Sequence, residues 1–232
     1  MTSMNTQQII DYLTTQSDKK RLPFMKRYGI NTDHALGIPL SILRPYAKQI
    51  GTNHQLAIDL WETRIHEARI LATIIDDPKQ VTEEQMEQWA ADFNSWDICD
   101  QCCLNLFYKT IYVHKKISEW TQRKEEFVKR AGFVLIAALA IHDKNAADDF
   151  FDQFFPLIKR ENTDDRTYVK KAVNWALRSI GKRNLNLNKK SIEIANEMIK
   201  KKNKTVQWIA KDAIRELRSE KIQKRLQPKS RK

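Results

Sequence analysis

"KRAGFVLIAALA", residues 129–140, sets two cations ahead of ten small or apolar residues with no interrupting polar position. Its alanines and large aliphatics favour a helix, and a helix apolar on nearly every side has to be enclosed by others. The same layout, a basic residue entering a run of alanine and aliphatics, recurs in "HEARILATII" (66–75), "KKAVNWALRSI" (170–180) and "WIAKDAIREL" (208–217). A further helix is expected over 96–113.

These units begin roughly 30 to 40 residues apart, the spacing of stacked helix pairs of HEAT type, in which each pair hides its apolar face only against its neighbours. No strand pair with a hairpin turn is apparent. The expected fold is therefore all-α: helical repeats stacked into a curved superhelix with a concave basic groove. One repeat domain over residues 1–220 is expected, followed by a basic tail, 221–232, that should fray. "DDPKQVTEEQ" (76–85) reads as a turn and helix start, and "IGKRNLNLNKKS" (180–191) as a glycine cap followed by a loop.

The net charge of +12 is unevenly placed. Residues 170–232 hold 20 Lys/Arg against 5 Asp/Glu, a balance of +15, whereas residues 1–169 hold 21 against 24, a balance of −3. A polyanionic partner follows, nucleic acid ahead of an anionic membrane surface, with a solubilising charged face as the plain alternative. No 18-residue apolar run occurs and "MTSMNTQQIIDYL" lacks the layout of a signal peptide, so a soluble, cytoplasmic, nucleoid-associated protein is expected. Cys99, Cys102 and Cys103 lack the partner spacing of a zinc or iron–sulfur site and read as reduced, buried thiols. His34, His54, His66, His114 and His142 form no ligand pattern. Neither a metal nor an organic cofactor is expected.

"NSWDICDQCCLNLF" (94–107) poses the sharpest question. Asn94 is a suitable N-cap, and Asp97 suits the positive first turn. Asp100 has no such local reason. At roughly 100° per residue, with Trp96 at zero, it falls near 40°, among Cys103, Phe107 and Ile111 on the apolar arc. An unpaired carboxylate there would cost several kcal/mol or give up its charge. Either it pairs with a buried Arg or caps a neighbouring helix, or it lines a cleft together with the indole.

In "RTYVKKAVNWALRSIGKR" the apolar face is Val169, Val173, Ala176, Leu177 and Ile180, and Trp175 lies about 140° from its centre between Lys171 and Arg178. An indole among cations suits stacking against a sugar or base; packing on a neighbouring repeat is the alternative. Arg130 should reach the rim of its buried helix, holding a phosphate or neutralising Asp100. Lys182, Arg183 and Lys211 extend the basic set.

At this point the chain resembles the AlkD-type DNA alkylation repair glycosylases, through "WETRIHEARILA", "WDICDQ", "FVKRAGFVL" and "KKAVNWALRSIGKRN". The resemblance matches Trp96, Asp100, Arg130 and Trp175 and implies a catalytic set of Asp100, Trp96 and Trp175 with Arg130 anchoring a phosphate; Lys171, Arg178, Lys182, Arg183 and Lys211 are expected by their charge to contact DNA. It further implies excision of cationic alkylated purines from double-stranded DNA by a monomer, without a tight base pocket. "HDKNAADDFFDQFFPLIKRENTDD" is longer than that family leads one to expect. A HEAT module binding bent or branched DNA without chemistry, and a protein scaffold, are the rival readings.

Overall fold

The structure is a computed structural model and describes residues Met4–Gln227. Among these residues there is no strand, and the chain is helical throughout. It divides into two compact units, described separately: the first holds the described residues up to His114, the second those from Lys115 onward.

The first unit runs through α1 (Thr6–Thr15), α2 (Leu22–Arg27), α3 (Leu40–Ile50), α4 (His54–Glu62), α5 (His66–Ile75), α6 (Glu83–Ala91) and α7 (Trp96–Asn105). Helix α5 is its hub, packed against α3, α4 and α7, and its aliphatic residues are buried nearly all round. Trp61 of α4 and Trp89 of α6 stack with centroids 4.0 Å apart at 2°. The guanidinium of Arg69 sits 4.8 Å over Trp61 and reaches Asp92, whose carboxylate also accepts from the Trp61 indole at 2.8 Å. Glu67, fully buried, accepts backbone N–H groups from Leu36, Gly37 and Ile38 at 2.8, 2.7 and 3.1 Å. One carboxylate thereby satisfies three donors of a loop that has no helix or sheet to satisfy them. Gly37, at φ 83°, is required there, since a Cβ would lie 2.1 Å from the Asp18 carbonyl oxygen.

The helix expected over 96–113 ends at Asn105. Leu106 leaves helical geometry (φ −123°, ψ −65°), a 3-10 turn spans Phe107–Lys109, and Ile111, assigned by the helical wheel to the apolar arc, is exposed. The cap also shifts by one residue: Ser95, not Asn94, precedes the first turn. Cys99, Cys102 and Cys103 are buried, and burial pushes the Cys102 thiol well above its ordinary pKa.

The second unit takes in most of α8 (Val113–Trp120), then α9 (Glu126–His142), α10 (Asp148–Asp152), α11 (Phe154–Glu161), α12 (Thr167–Gly181), α13 (Leu185–Ile199), α14 (Lys204–Leu217) and α15 (Glu220–Leu226). Here α12 is the hub, packed most extensively on α9 and also on α11, α13 and α14. Helix α9 is enclosed, as its apolar circumference requires; Ala131 through Ala140 are all buried. The segment that looked long, 142–165, folds into α10 and α11, whose Phe151, Phe154 and Ile158 enter the core.

Gly132 lets α9 approach the α8 terminus closely. A Cβ there would stand 2.7 Å from the Thr121 nitrogen, an atom that cannot swing aside. Gly132→Ala is expected to lower stability by about 1–3 kcal/mol, the usual range for overpacking, read from the urea midpoint at unchanged m-value.

Two further expectations change. Gly181 is the last residue of α12, where Leu217 and Ser191 leave no room for a Cβ, and the loop expected after it is instead α13, capped by Asn184 through the Leu187 N–H at 2.9 Å. Residues 221–226, expected to fray, are helical: Ile222 is buried and Gln223 Nε2 donates to the Leu217 carbonyl at 2.6 Å. The rest of the expected tail, 228–232, lies outside the described residues.

Candidate functional site

In the first unit, α7 carries Trp96 and Asp100 one turn apart. Asp100 is 5% exposed, as its place on the apolar arc implied. Trp96 is half-buried and donates its indole N–H to the Tyr28 carbonyl at 2.9 Å, which fixes the ring. The helix is fastened to α5 at both ends. Asn105 Nδ2 donates to Thr73 Oγ1 at 2.9 Å near its C-terminus. At its N-terminus His66 Nε2 lies 2.9 Å from Asp97 Oδ2, and Ser95 donates to the other Asp97 oxygen at 2.6 Å. Asp97 therefore does more than complement the helix dipole, and His66, read as isolated, holds the helix that carries the candidate acid.

Burial works against charge on the His66 imidazole, yet the hydrogen bond and negative charge of Asp97 outweigh it and raise the His66 pKa above 6.5. Burial likewise opposes the Asp97 carboxylate, but His66 and Ser95 hold it below its ordinary value. The raised His66 value stabilises the fold below about pH 6.5 and that contribution is lost as pH climbs through it; the lowered Asp97 value stabilises above about pH 4 and is lost on acidification. The destabilisation caused by His66→Gln should accordingly be larger near pH 6 than near pH 9. Urea midpoints of the two proteins at both pH values check this, and a difference that stays constant would refute the linkage.

The second unit gathers four of the other candidates into one cleft of about 330 Å3. Arg130, Lys171, Trp175 and Arg178 line it, joined by Asn174, Trp208 and Asp212. Arg130 is 6% exposed and donates to the Tyr168 carbonyl at 2.8 Å. Trp175 is half-buried and Lys171 exposed, as expected of an indole off the apolar face. Trp208 is 41% exposed, with the Lys170 ammonium 5.7 Å over its ring. Sequence reasoning missed it, although a signal existed: it falls roughly 160° from the centre of the α14 face formed by Val206, Ile209, Ala210, Ala213 and Leu217.

The remaining cations divide. Lys211 is exposed. Arg178 pairs with Glu216 and lies 3.6 Å from Asp212, and Lys182 meets Glu216 at 2.8 Å. Burial resists charge on Glu216, but Lys182 and Arg178 keep its pKa below the usual value. Arg183 is turned into the fold: its guanidinium donates to the carbonyls of Ala140, Asp143 and Ala146 and stacks 4.1 Å from the Phe151 centroid. These bonds close the C-terminal end of α9 and give Arg183 a structural task. Among the described residues no group of His, Cys, Asp or Glu is placed to hold a metal ion, and no helix is long and apolar enough to cross a membrane.

Helices enclosed in packed pairs, a buried acid in one unit and a cleft lined by cations and two indoles in the other are the attributes of a HEAT-like repeat protein. The chain matches the DNA alkylation repair enzyme family over residues 9–217 and belongs to that family. Its fold is similar to a solved structure from a family related to the HEAT-like repeat DNA glycosylases and described as having affinity for branched DNA structures. The TM-score is 0.75 at 21% identity, covering 92% of this chain and 95% of the other. No curated protein matches the chain.

Proposed function

We propose that this protein is a monofunctional DNA glycosylase that hydrolyses the N-glycosidic bond of cationic alkylated purines, of the 3-methyladenine and 7-methylguanine type, in double-stranded DNA. The observation that carries the proposal is Asp100, a carboxylate kept buried on a helix fastened at both ends, one turn from a fixed indole. A chain that only bound DNA would gain nothing from an acid, because its charge repels phosphate.

Alkylation at N3 or N7 makes the purine cationic and a ready leaving group, so no strong general acid is needed. What the reaction requires is negative charge for the oxocarbenium-like sugar as the bond stretches, and a placed water; an ionised Asp100 supplies the first and assists the second. Trp96, one turn from Asp100, offers an aromatic face whose attraction for the sugar grows as positive charge develops on it, and Trp175 in the second unit offers another to a sugar or base of the strand. Arg130 and Lys171, with Arg178, Lys182 and Lys211 around them, hold phosphates.

The test is release of free base from methylated duplex DNA. Release of 7-methylguanine and 3-methyladenine, with uncharged ethenoadenine retained, is expected; equal release of ethenoadenine would overturn the claim for cationic lesions. A second reading, binding of branched DNA without chemistry, is favoured by the description of the similar solved structure. It predicts no base release and tighter binding of a four-way junction than of a duplex. Either DNA reading requires the logarithm of affinity to fall with the logarithm of salt concentration at about −0.9 per neutralised phosphate, whereas a flat dependence would point to a protein scaffold.

A further inference from the structure

A second cleft in the C-terminal unit, apart from the one lined by Trp175, is larger, at about 540 Å3. It lies where the last turns of α9 and α12 meet the start of α13 and the end of α15. Among the described residues its polar lining is Lys144, Ser179, Lys182, Arg183, Asn184 and Arg225, with no carboxylate.

Two donors there are unsatisfied. The Ser179 hydroxyl, on a residue 3% exposed, and the buried Nε–H of Arg183 have no hydrogen-bond partner among the described residues. A buried donor without a partner is costly and calls for an acceptor. The carbonyls nearby do not fill that role, since those of Ala140, Asp143 and Ala146 take the terminal nitrogens of Arg183, and Lys182 O takes Arg225 at 2.9 Å. Asn184 also marks the first turn of α13, a 15-residue helix whose positive end favours an anion. The lining thus presents cations and open donors, and its volume falls within the range of small-ligand sites.

We infer that this cleft binds a phosphate ester, with Ser179 and the Arg183 Nε–H donating to its oxygens and Lys144 and Arg225 closing over it. The ester could be carried by a free mononucleotide or by a nucleic acid strand; the chemistry recognised is the same.

Calorimetric titration of the full chain with inorganic phosphate, with deoxyadenosine monophosphate and with an undamaged duplex tests the inference, using Ser179→Ala and Arg225→Glu as variants. Small-anion binding that each variant weakens about tenfold or more, the scale of one lost charge-assisted hydrogen bond, supports a free ester. Absent small-anion binding, with duplex affinity lowered at least severalfold in both variants, supports a strand phosphate. Small-anion or duplex binding left intact by both variants overturns the inference. Base release from methylated DNA, read at saturating substrate, depends on Asp100 and reports separately, so failure of either proposal is recognisable without the other.

Discussion

Asp100→Asn should lower the rate of 7-methylguanine release from methylated duplex by about 10²–10³-fold, the loss typical when one preorganised electrostatic group is removed from an active site. The substitution keeps the shape of the side chain and removes only its charge. If that charge stabilises the sugar as the glycosidic bond breaks, the loss appears in the single-turnover rate and not in DNA affinity, which should hold or improve because an anion has left the neighbourhood of phosphates. A thermal midpoint within a few degrees of the parent separates this from unfolding. Release at the parental rate would remove Asp100 from the mechanism, and a fall in affinity at unchanged rate would make it a residue of the binding surface.

The second large effect is on stability. Glu67→Ala should destabilise the protein by about 3–5 kcal/mol, because three backbone N–H groups lose their acceptor inside the fold and each orphaned group costs about 1–3 kcal/mol before relaxation. Set against a typical total of about 5–15 kcal/mol, that is enough to populate the unfolded chain near body temperature. Glu67→Gln should lie between, since its amide keeps one oxygen but presents an NH2 to a site that needs acceptors. Guanidinium denaturation followed by circular dichroism measures both. A cost below about 1 kcal/mol for the alanine variant would mean that water replaces the carboxylate with ease.

The contrast between these two acids shows what a sequence discloses. Asp100 stood out because it broke a local period. Glu67 broke none: "HEARILATII" reads as an ordinary helix whose first turn welcomes an acid, and its three partners lie some thirty positions upstream. The pairing of His66 with Asp97 was hidden for the same reason. The enclosed helices α5, α9, α12 and α14 were legible because alanine and aliphatic runs at helical spacing have few other uses. The end of α7 was not, since Leu106 breaks the helix without Gly or Pro to announce it. Gly181 marked the end of α12, as a glycine after an apolar run commonly does, but the close approach of Leu217 that also demands it was not legible. Among the candidate site residues, Arg130, Lys171, Trp175 and Arg178 share a cleft, while Arg183 was assigned by charge alone and serves the carbonyls of α9.

On the proposed glycosylase reading, the three buried sulfurs of α7 bear on survival in the conditions that create the substrate. Methylating electrophiles react with thiolates far more readily than with thiols. With Cys99, Cys102 and Cys103 shut away from solvent and Cys102 held in its protonated form, an agent that damages purines finds no nucleophilic sulfur to cap on the helix that bears Asp100. A repair protein so built would outlast the chemical insult it answers.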